Sequence, residues 1–147
     1  MAGCQYQASS NLRRAGQDFL IGVGAAARMF ETYYPEAHST LDDRTFVLHA
    51  TGAVVRTNRH EAYLFDLHST RKEPVAALIM AAEFDLHRGD VAVPAVCYIH
   101  PDYRGVPDVV RWLARQQIYT GRTLGCRWLM HMKHLSDDAR LITYKEL

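Results

Sequence analysis

The chain has 147 residues, 48% of them hydrophobic, which suits one globular domain (1–147) that buries a core without disulfide or metal staples. Its 17 basic and 16 acidic side chains leave a formal net charge of +1 with no basic run, which argues against a general nucleic-acid binder. No apolar run approaches the roughly 20 residues that span a bilayer, and the first residues lack the pattern of a signal peptide, so we expect no membrane association and a cytoplasmic location.

The first third of the chain predicts a short strand followed by a helix. Gln5–Leu12 suits the strand, which ends at polar residues. In Gln17–Tyr34 the apolar residues recur at helical spacing, and Pro35 ends the run. Gly22 and Gly24 inside this helix lower its stability, so we expect a neighbouring backbone to approach there.

The middle of the chain predicts a second helix and a β-hairpin. The helix covers Leu41–Val55, and its acidic first turn suits the helix dipole. Glu61–His68 alternates as a strand, Ser69–Glu73 forms a polar turn, and Val75–Leu86 forms the second strand. A further turn at Arg88–Asp90 leads into the next strand.

A strand-helix-strand unit dominates the second half of the chain. Val91–Ile99 is an apolar strand, a helix opens at Val106 or Pro107 and stops at Gly125, and Trp128–His134 is the next strand. Two strands joined by a helix lie parallel. The first turn of the helix presents free backbone N–H groups and the positive end of the dipole, which suits a phosphate.

Pro94 interrupts the pattern of the central strand. A proline removes one ladder hydrogen bond, so the strand either carries a bulge here or begins at Ala95. After a turn at Ser136–Asp138, Arg140–Glu146 forms the last strand. The order of elements predicts an α+β or α/β fold, with a mixed, mostly antiparallel sheet, a central parallel strand-helix-strand unit and helices on both faces.

Cysteine and histidine spacing does not predict a metal site. The three cysteines, Cys4, Cys97 and Cys126, are far apart and odd in number, which also argues against a disulfide framework. His131 and His134 stand three apart on a strand and therefore on opposite faces. Cys97, in an apolar strand, is interpreted as a small core residue.

Two short motifs flank the central helix. The sequence His-Pro-Asp-Tyr-Arg-Gly at 100–105 ends a strand, a helix follows, and Leu-Gly-Cys-Arg-Trp-Leu at 124–129 opens the next strand. In this order they resemble the core of the GNAT superfamily of N-acetyltransferases. The resemblance extends from about Ala62 to Leu147. It implies that acetyl-CoA lies along the central strand, with its pyrophosphate on the following turn. The cofactor-binding residues implied are Tyr98, Ile99, Arg104, Gly105, Val106, Asp108 and Val109.

The turn departs from the family pattern Arg/Gln-x-x-Gly-x-Gly/Ala. Arg104 matches, but Pro107 and Val109 stand where the later glycines are expected. Pro107 has no N–H to donate, Asp108 brings a negative charge to the phosphate position, and Val109 adds a branched side chain. These changes weaken a pyrophosphate site without excluding one.

The resemblance also implies where to look for catalytic residues. The family often places a glutamate base on the central strand or its neighbour, and the central strand here has no carboxylate. Glu83 on the preceding strand and His131 on the following strand are the candidates, each also compatible with a structural role. The family's helix before the last strands, which often supplies a tyrosine acid, is missing, and Tyr144 is the tyrosine that remains at this end.

Two functions remain open at the level of sequence. One is a CoA-dependent N-acyltransferase that moves an acetyl group from acetyl-CoA to an amine on a protein or a small molecule. The other is a catalytically degenerate GNAT-like fold that binds or inhibits a partner protein, and small diverged proteins of this style are familiar among phage-encoded accessory proteins. The acceptor, and whether two chains form a homodimer, are left open.

Overall fold

Six strands and three helices make up the computed structural model, which describes residues 5–33, 41–136 and 138–147. The strands are β1 (Tyr6–Arg13), β2 (Arg59–Asp66), β3 (Ala76–Asp85), β4 (Gly89–Ile99), β5 (Trp128–Ser136) and β6 (Ala139–Glu146). The helices are α1 (Val23–Tyr33), α2 (Asp43–Val55) and α3 (Pro107–Thr123). None of the helices in the described ranges is long and apolar enough to cross a membrane.

The strands form one sheet in the order β1-β2-β3-β4-β5-β6. Every neighbouring pair is antiparallel except β4 and β5, which the helix α3 connects and which are parallel. The mixed sheet with a central parallel unit, predicted from the sequence, is confirmed.

Helices cover both faces of the sheet, also as predicted. On one face, Tyr63, Ile79 and Val96 pack against Phe30 of α1. On the other face, residues such as Leu78, Met80 and Leu129 pack against Leu113 of α3. Strands β2 and β3 are therefore buried on both sides over their first six residues. This explains the unbroken apolar run at the start of β3, whereas β2 buries Arg59, His60 and Glu61 among its apolar residues.

The first helix begins later than predicted. It starts at Val23 rather than Gln17, because Gly22 has a φ of 83°, a conformation that favours glycine and interrupts the helix. The residues before it form a loop that buries Phe19 at 2% exposure. The close backbone approach expected at Gly24 is wrong, since a Cβ there would meet only the Arg28 guanidinium, at 3.8 Å.

A buried ionic group lies on β2, facing α1. The Arg59 guanidinium donates from Nε to Glu61 Oε2 at 2.6 Å, and the Tyr63 hydroxyl donates to the other oxygen of Glu61. The exposures of Arg59, Glu61 and Tyr63 are 2%, 0% and 0%. The backbone N–H of Leu20 also donates to Glu61, at 3.0 Å, so the carboxylate is bound from three sides. Such a group is tolerated in a core because its hydrogen bonds are satisfied.

Strand β4 contains the bulge that Pro94 suggested. Ile79 of β3 faces Val96 of β4, whereas the next residue, Met80, faces Pro94, so Ala95 is the extra residue. The strand begins at Gly89, and the alternative start at Ala95 is wrong. A proline is tolerated here because the ladder is already interrupted at a bulge.

Strands β4 and β5 separate after Ala92, just before the bulge. Their parallel pairing comprises Val91 with Trp128 and Ala92 with Leu129. Strand β5 continues instead as a hairpin with β6, paired from Trp128 opposite Glu146 to Ser136 opposite Ala139. Only positions 137 and 138 connect the two strands, so no helix precedes the last strand, as the sequence indicated.

Candidate functional site

The separation of β4 and β5 opens a slot through the sheet. It forms a cavity of about 580 Å³ that has Tyr33 of α1 at one side and Gln117 of α3 at the other. Pro94 and Ala95 of the bulge line one wall, and Met132 of β5 lines the opposite wall. The slot therefore joins the two helical layers at the point where the backbone of β4 no longer pairs with β5.

Cys97 lines this slot, so its interpretation as a core residue is wrong. The bulge shifts the alternation of β4, and Val96 and Tyr98 face the α1 layer instead. The Gln117 amide nitrogen lies 3.5 Å from the Cys97 sulfur. The Cys97 side chain is exposed at the slot, but the protein atoms around its sulfur desolvate the thiolate and so raise the pKa of the thiol, which keeps it protonated at neutral pH and makes it a poor nucleophile.

The two candidate bases line the same slot. Glu83 is on β3, opposite Val91 in the register, and His131 is on β5. Both side chains are exposed to solvent. The structure thus brings together at one slot two residues that are 48 positions apart in the sequence.

Tyr33 is the residue that sequence analysis underrated. The sequence did not single it out, but its side chain lines the slot and two neighbouring cavities. Its ring stacks on Phe46, with centroids 6.2 Å apart, and lies 5.8 Å from the ring of Tyr98. Burial raises the pKa of the Tyr33 phenol, so the hydroxyl keeps its proton at neutral pH. Nothing in the local sequence distinguishes it from the other aromatic residues of α1.

A small cavity of about 200 Å³ lies at the end of β4 and contains three of the predicted residues. Tyr98, Ile99 and Arg104 line it together with Tyr33 and Cys97. The Tyr98 hydroxyl is 2.6 Å from the hydroxyl of Thr32, which fixes its ring toward α1. The Arg104 Nε donates to the carbonyl oxygen of Ile99 at 3.4 Å, which holds the guanidinium over the strand end.

Few backbone N–H groups in the turn before α3 are available to a ligand. Val106 is the N-cap and Pro107 occupies the first helical position, which has no N–H. The N–H of Val106 donates to Tyr103 at 3.0 Å, and the N–H of Val109 donates to Val106 at 3.2 Å. Within the described residues, the N–H groups of Gly105 and Asp108 have no backbone acceptor. These two amides are the donors that the turn presents to a ligand.

Asp108 and Val109 hinder phosphate binding at the turn less than the sequence predicted. The Val109 side chain is fully buried at 0% exposure, packed with Leu64 and Val75, so crowding by its branch is wrong. The Asp108 carboxylate accepts from Arg111 Nη2 at 2.7 Å. Because this pair is exposed, it offsets only part of the negative charge at the helix start.

A neighbouring polar cluster holds the turn in place. The His100 Nδ1 accepts from the backbone N–H of Asp102 at 3.1 Å, and Arg71 Nη2 donates to the Asp102 carboxylate. Burial, reinforced by the nearby positive charge of Arg71, lowers the pKa of His100. The imidazole is therefore neutral at pH 7, as its acceptor role requires. In the described part of the chain, no group of three His, Cys, Asp or Glu residues could hold a metal ion.

No protein-family model and no curated protein matches the chain. Among solved structures it is similar to the NatC complex bound to Gag peptide and CoA, with a TM-score of 0.57, 8% identity, and coverage of 88% of this chain and 76% of that one. An acetyltransferase from Streptococcus agalactiae 2603 gives a TM-score of 0.56 at 11% identity, covering 91% and 76%. A GCN5-related N-acetyltransferase from Kribbella flavida gives 0.53 at 17% identity, covering 88% of this chain but 30% of that one. These similarities concern the architecture, and the chain therefore has the GNAT fold, in a diverged form.

Proposed function

We propose that this protein is a CoA-dependent N-acyltransferase that moves an acetyl group from acetyl-CoA to an amine. The observation that carries the proposal is the slot between β4 and β5. The bulge at Pro94 and Ala95 opens it, and the unpaired edge of β4 beyond Ala92 leaves backbone groups for an extended ligand arm. Acetyl-CoA would enter as the donor substrate, with its acyl end at the bulge.

The binding of the pyrophosphate would depend on three groups at one end of the slot. The N–H groups of Gly105 and Asp108, which have no backbone acceptor among the described residues, flank the start of α3, where the helix dipole favours an anion. The guanidinium of Arg104 adds a charged donor that can grip phosphate oxygens. Tyr98 and Ile99 would form the surface along which the arm of the donor lies.

The proposed reaction uses residues that line the slot. Glu83 or His131 removes a proton from the ammonium group of the acceptor, directly or through water, and the free amine attacks the thioester carbonyl. A C–N bond forms and the C–S bond breaks, giving an N-acetyl amine and the thiolate of CoA. The attacking nitrogen loses its second proton as the amide forms. The Tyr33 phenol, which is protonated at neutral pH, gives its proton to the thiolate and takes up this second proton through water, and the base returns the first proton to solvent. No covalent intermediate on Cys97 is needed, since its thiol is protonated.

Isothermal titration with acetyl-CoA and with CoA tests the donor site. We expect micromolar binding, and Arg104→Ala should weaken it by about 10- to 100-fold, the worth of a charged hydrogen bond to phosphate. The matched control is Arg115→Ala, an exposed arginine further along α3, which should leave the affinity unchanged. No binding at millimolar ligand would refute the proposal.

A second function is favoured by the turn itself. Pro107 lacks an N–H and the N–H of Val109 is already used, which suits a degenerate fold that binds or inhibits a partner protein. Pro107→Ala restores one donor without disturbing the core, whereas a glycine at 109 would remove a buried side chain. If neither the natural chain nor Pro107→Ala binds acetyl-CoA, the partner-binding function replaces the enzymatic one.

A further inference from the structure

A second cavity lies beside the slot, between the two N-terminal helices and the sheet. Its volume is about 360 Å³, within the range of small-molecule sites. The rings of Phe30, Tyr33 and Phe46 form the helical side. Ile79 and Val96 form part of the floor on β3 and β4. The cavity is therefore apolar over most of its wall.

The aromatic side of this cavity has a defined geometry. The ring of Phe30 stands nearly perpendicular to Tyr33, at 86°, and to Phe46, at 81°. Tyr33 and Phe46 lie almost parallel, at 4°. Such a set presents both ring faces and ring edges, and aromatic guests gain from both kinds of contact.

The cavity meets the slot at the bulge. Tyr33, Ala95 and His134 line both spaces, and Ala95 is the extra residue of the bulge. A molecule whose apolar part occupies the cavity can therefore place a polar end at Ala95. In the proposed reaction this is the position of the acyl group.

The charges around the cavity limit what it can accept. No aspartate or glutamate lines it within the described residues. Arg59 lines it, but the guanidinium is already occupied, by Glu61 at 2.6 Å, the Gln17 carbonyl at 2.8 Å and the Thr57 carbonyl at 3.0 Å. The described lining thus offers no carboxylate to a second ammonium group, and the Arg59 guanidinium is engaged from all three of its nitrogens. Burying either charge there is costly.

We infer that the acceptor is a primary amine with one apolar, aromatic side group. The side group fills the cavity between Phe46 and the sheet, and the amine lies at Ala95. Polyamines and amines with a second charge are poor acceptors, because the described lining has no carboxylate to pair with the second ammonium group. This inference rests on the proposed function, because it assigns the acceptor of the same reaction.

The test compares acetylation of tryptamine and spermidine with acetyl-CoA as donor. We expect kcat/KM for tryptamine to exceed that for spermidine by about 100-fold, because the described lining of the cavity holds no carboxylate for a second ammonium group. Ala50→Leu and Ala53→Leu each add bulk to the cavity wall from α2. Each should raise KM for tryptamine by about tenfold and leave the affinity for acetyl-CoA unchanged.

Ala114→Leu, on the exposed side of α3, is the matched control and should change neither constant. Ala53 is exposed as well, so its variant is expected to fold even if Ala50→Leu does not. Equal rates with spermidine and tryptamine would overturn the inference and leave the acyltransferase proposal standing.

Absence of acetyl-CoA binding would instead overturn the proposed function. Titration of tryptamine alone then tests the cavity directly. Binding that Ala53→Leu weakens would support recognition of an aromatic amine there, and no binding would overturn it.

Discussion

The two sides of the parallel junction are built in different ways. The first six residues of β2 and of β3 are all buried. Of the nine residues of β5, two are buried, and no residue of β6 in the described part of the chain is buried. The β5–β6 hairpin is thus much less buried than the neighbouring pair of strands β2 and β3. The slot therefore lies at the boundary between the buried strands β2 and β3 and the exposed β5–β6 hairpin.

The hairpin is held mainly at its base. It pairs with β4 at two positions, and the N–H of Leu147 donates to the Arg127 carbonyl at 2.8 Å. Leu141 and Leu135, further from this base, are exposed at 51% and 61%. We therefore expect local stability to fall along the hairpin from its base to its tip, while β2 and β3 keep the stability of the whole fold.

The largest expected effect comes from β2, in the buried part of the sheet, where Glu61→Ala leaves the Arg59 charge buried without its partner. Such a loss costs about 3 to 5 kcal/mol of unfolding free energy. Urea denaturation followed by circular dichroism measures it. The matched control is Glu83→Ala, an exposed carboxylate on the next strand, which should change the free energy by less than about 0.5 kcal/mol. Similar values for the two variants would contradict the buried role of Glu61.

A second test compares two leucines of the same strand. Leu129, at the base of β5, is 1% exposed, and its change to alanine should cost about 2 to 5 kcal/mol. Leu135→Ala, near the tip, should cost less than about 0.5 kcal/mol. Thermal and urea unfolding of both variants measure the difference. A large loss from Leu135→Ala would mean that the tip of the hairpin is packed.

The turn at the end of β4 should be sensitive to acid. Folding lowers the pKa of His100, so the unfolded chain takes up a proton there first, near pH 6.5. The stability from neutral His100 is therefore present above about pH 6.5 and is lost as the pH falls below it. His100→Asn keeps an acceptor for the Asp102 N–H without titrating and should flatten the dependence. Urea unfolding at pH 7.5 and 5.5 checks this.

His60, which is buried on β2 and whose pKa folding also lowers, contributes a slope of the same sign. Some dependence on pH therefore remains in the His100→Asn variant. An unchanged slope in that variant would remove His100 from the explanation.

The smallest expected effect is a difference in the free energy of local opening, measured by amide hydrogen exchange. Amides at residues 133–136 should exchange through local opening, at a lower free energy than the amides of β2 and β3. Exchange followed by mass spectrometry compares peptides from the two regions in one sample. Equal protection along both would show that the hairpin is as stable as the rest of the sheet.

Most of the fold could be predicted because its signals are local. Pro107 and Gly125 mark the ends of α3, and Gly125 indeed has a positive φ, of 74°. The bulge was visible in Pro94, since proline disrupts a strand wherever it stands. The predicted start of α1 was wrong because the helical spacing of apolar residues extends back to Phe19. Phe19 is buried, but it lies in the loop before the helix and packs there in the core.

The site could be predicted only in part, because its contacts join distant residues. Arg71 reaches the turn across 31 positions to bind Asp102. The position of Tyr33 at three cavities depends on how α1 lies on the sheet. The buried orientation of Val109 follows from the phase of α3, which the family pattern of the turn does not reveal.

The buried ionic group on β2 also has a consequence for the order of folding. The acceptors of Arg59 come from the loop before α1 and from the end of α2, and Leu20 donates to Glu61. These charges can leave water only when all three segments have assembled, because any earlier burial would lack partners. We therefore expect their interactions to form after the rate-limiting barrier. Variants of Glu61 should accordingly speed unfolding far more than they slow folding.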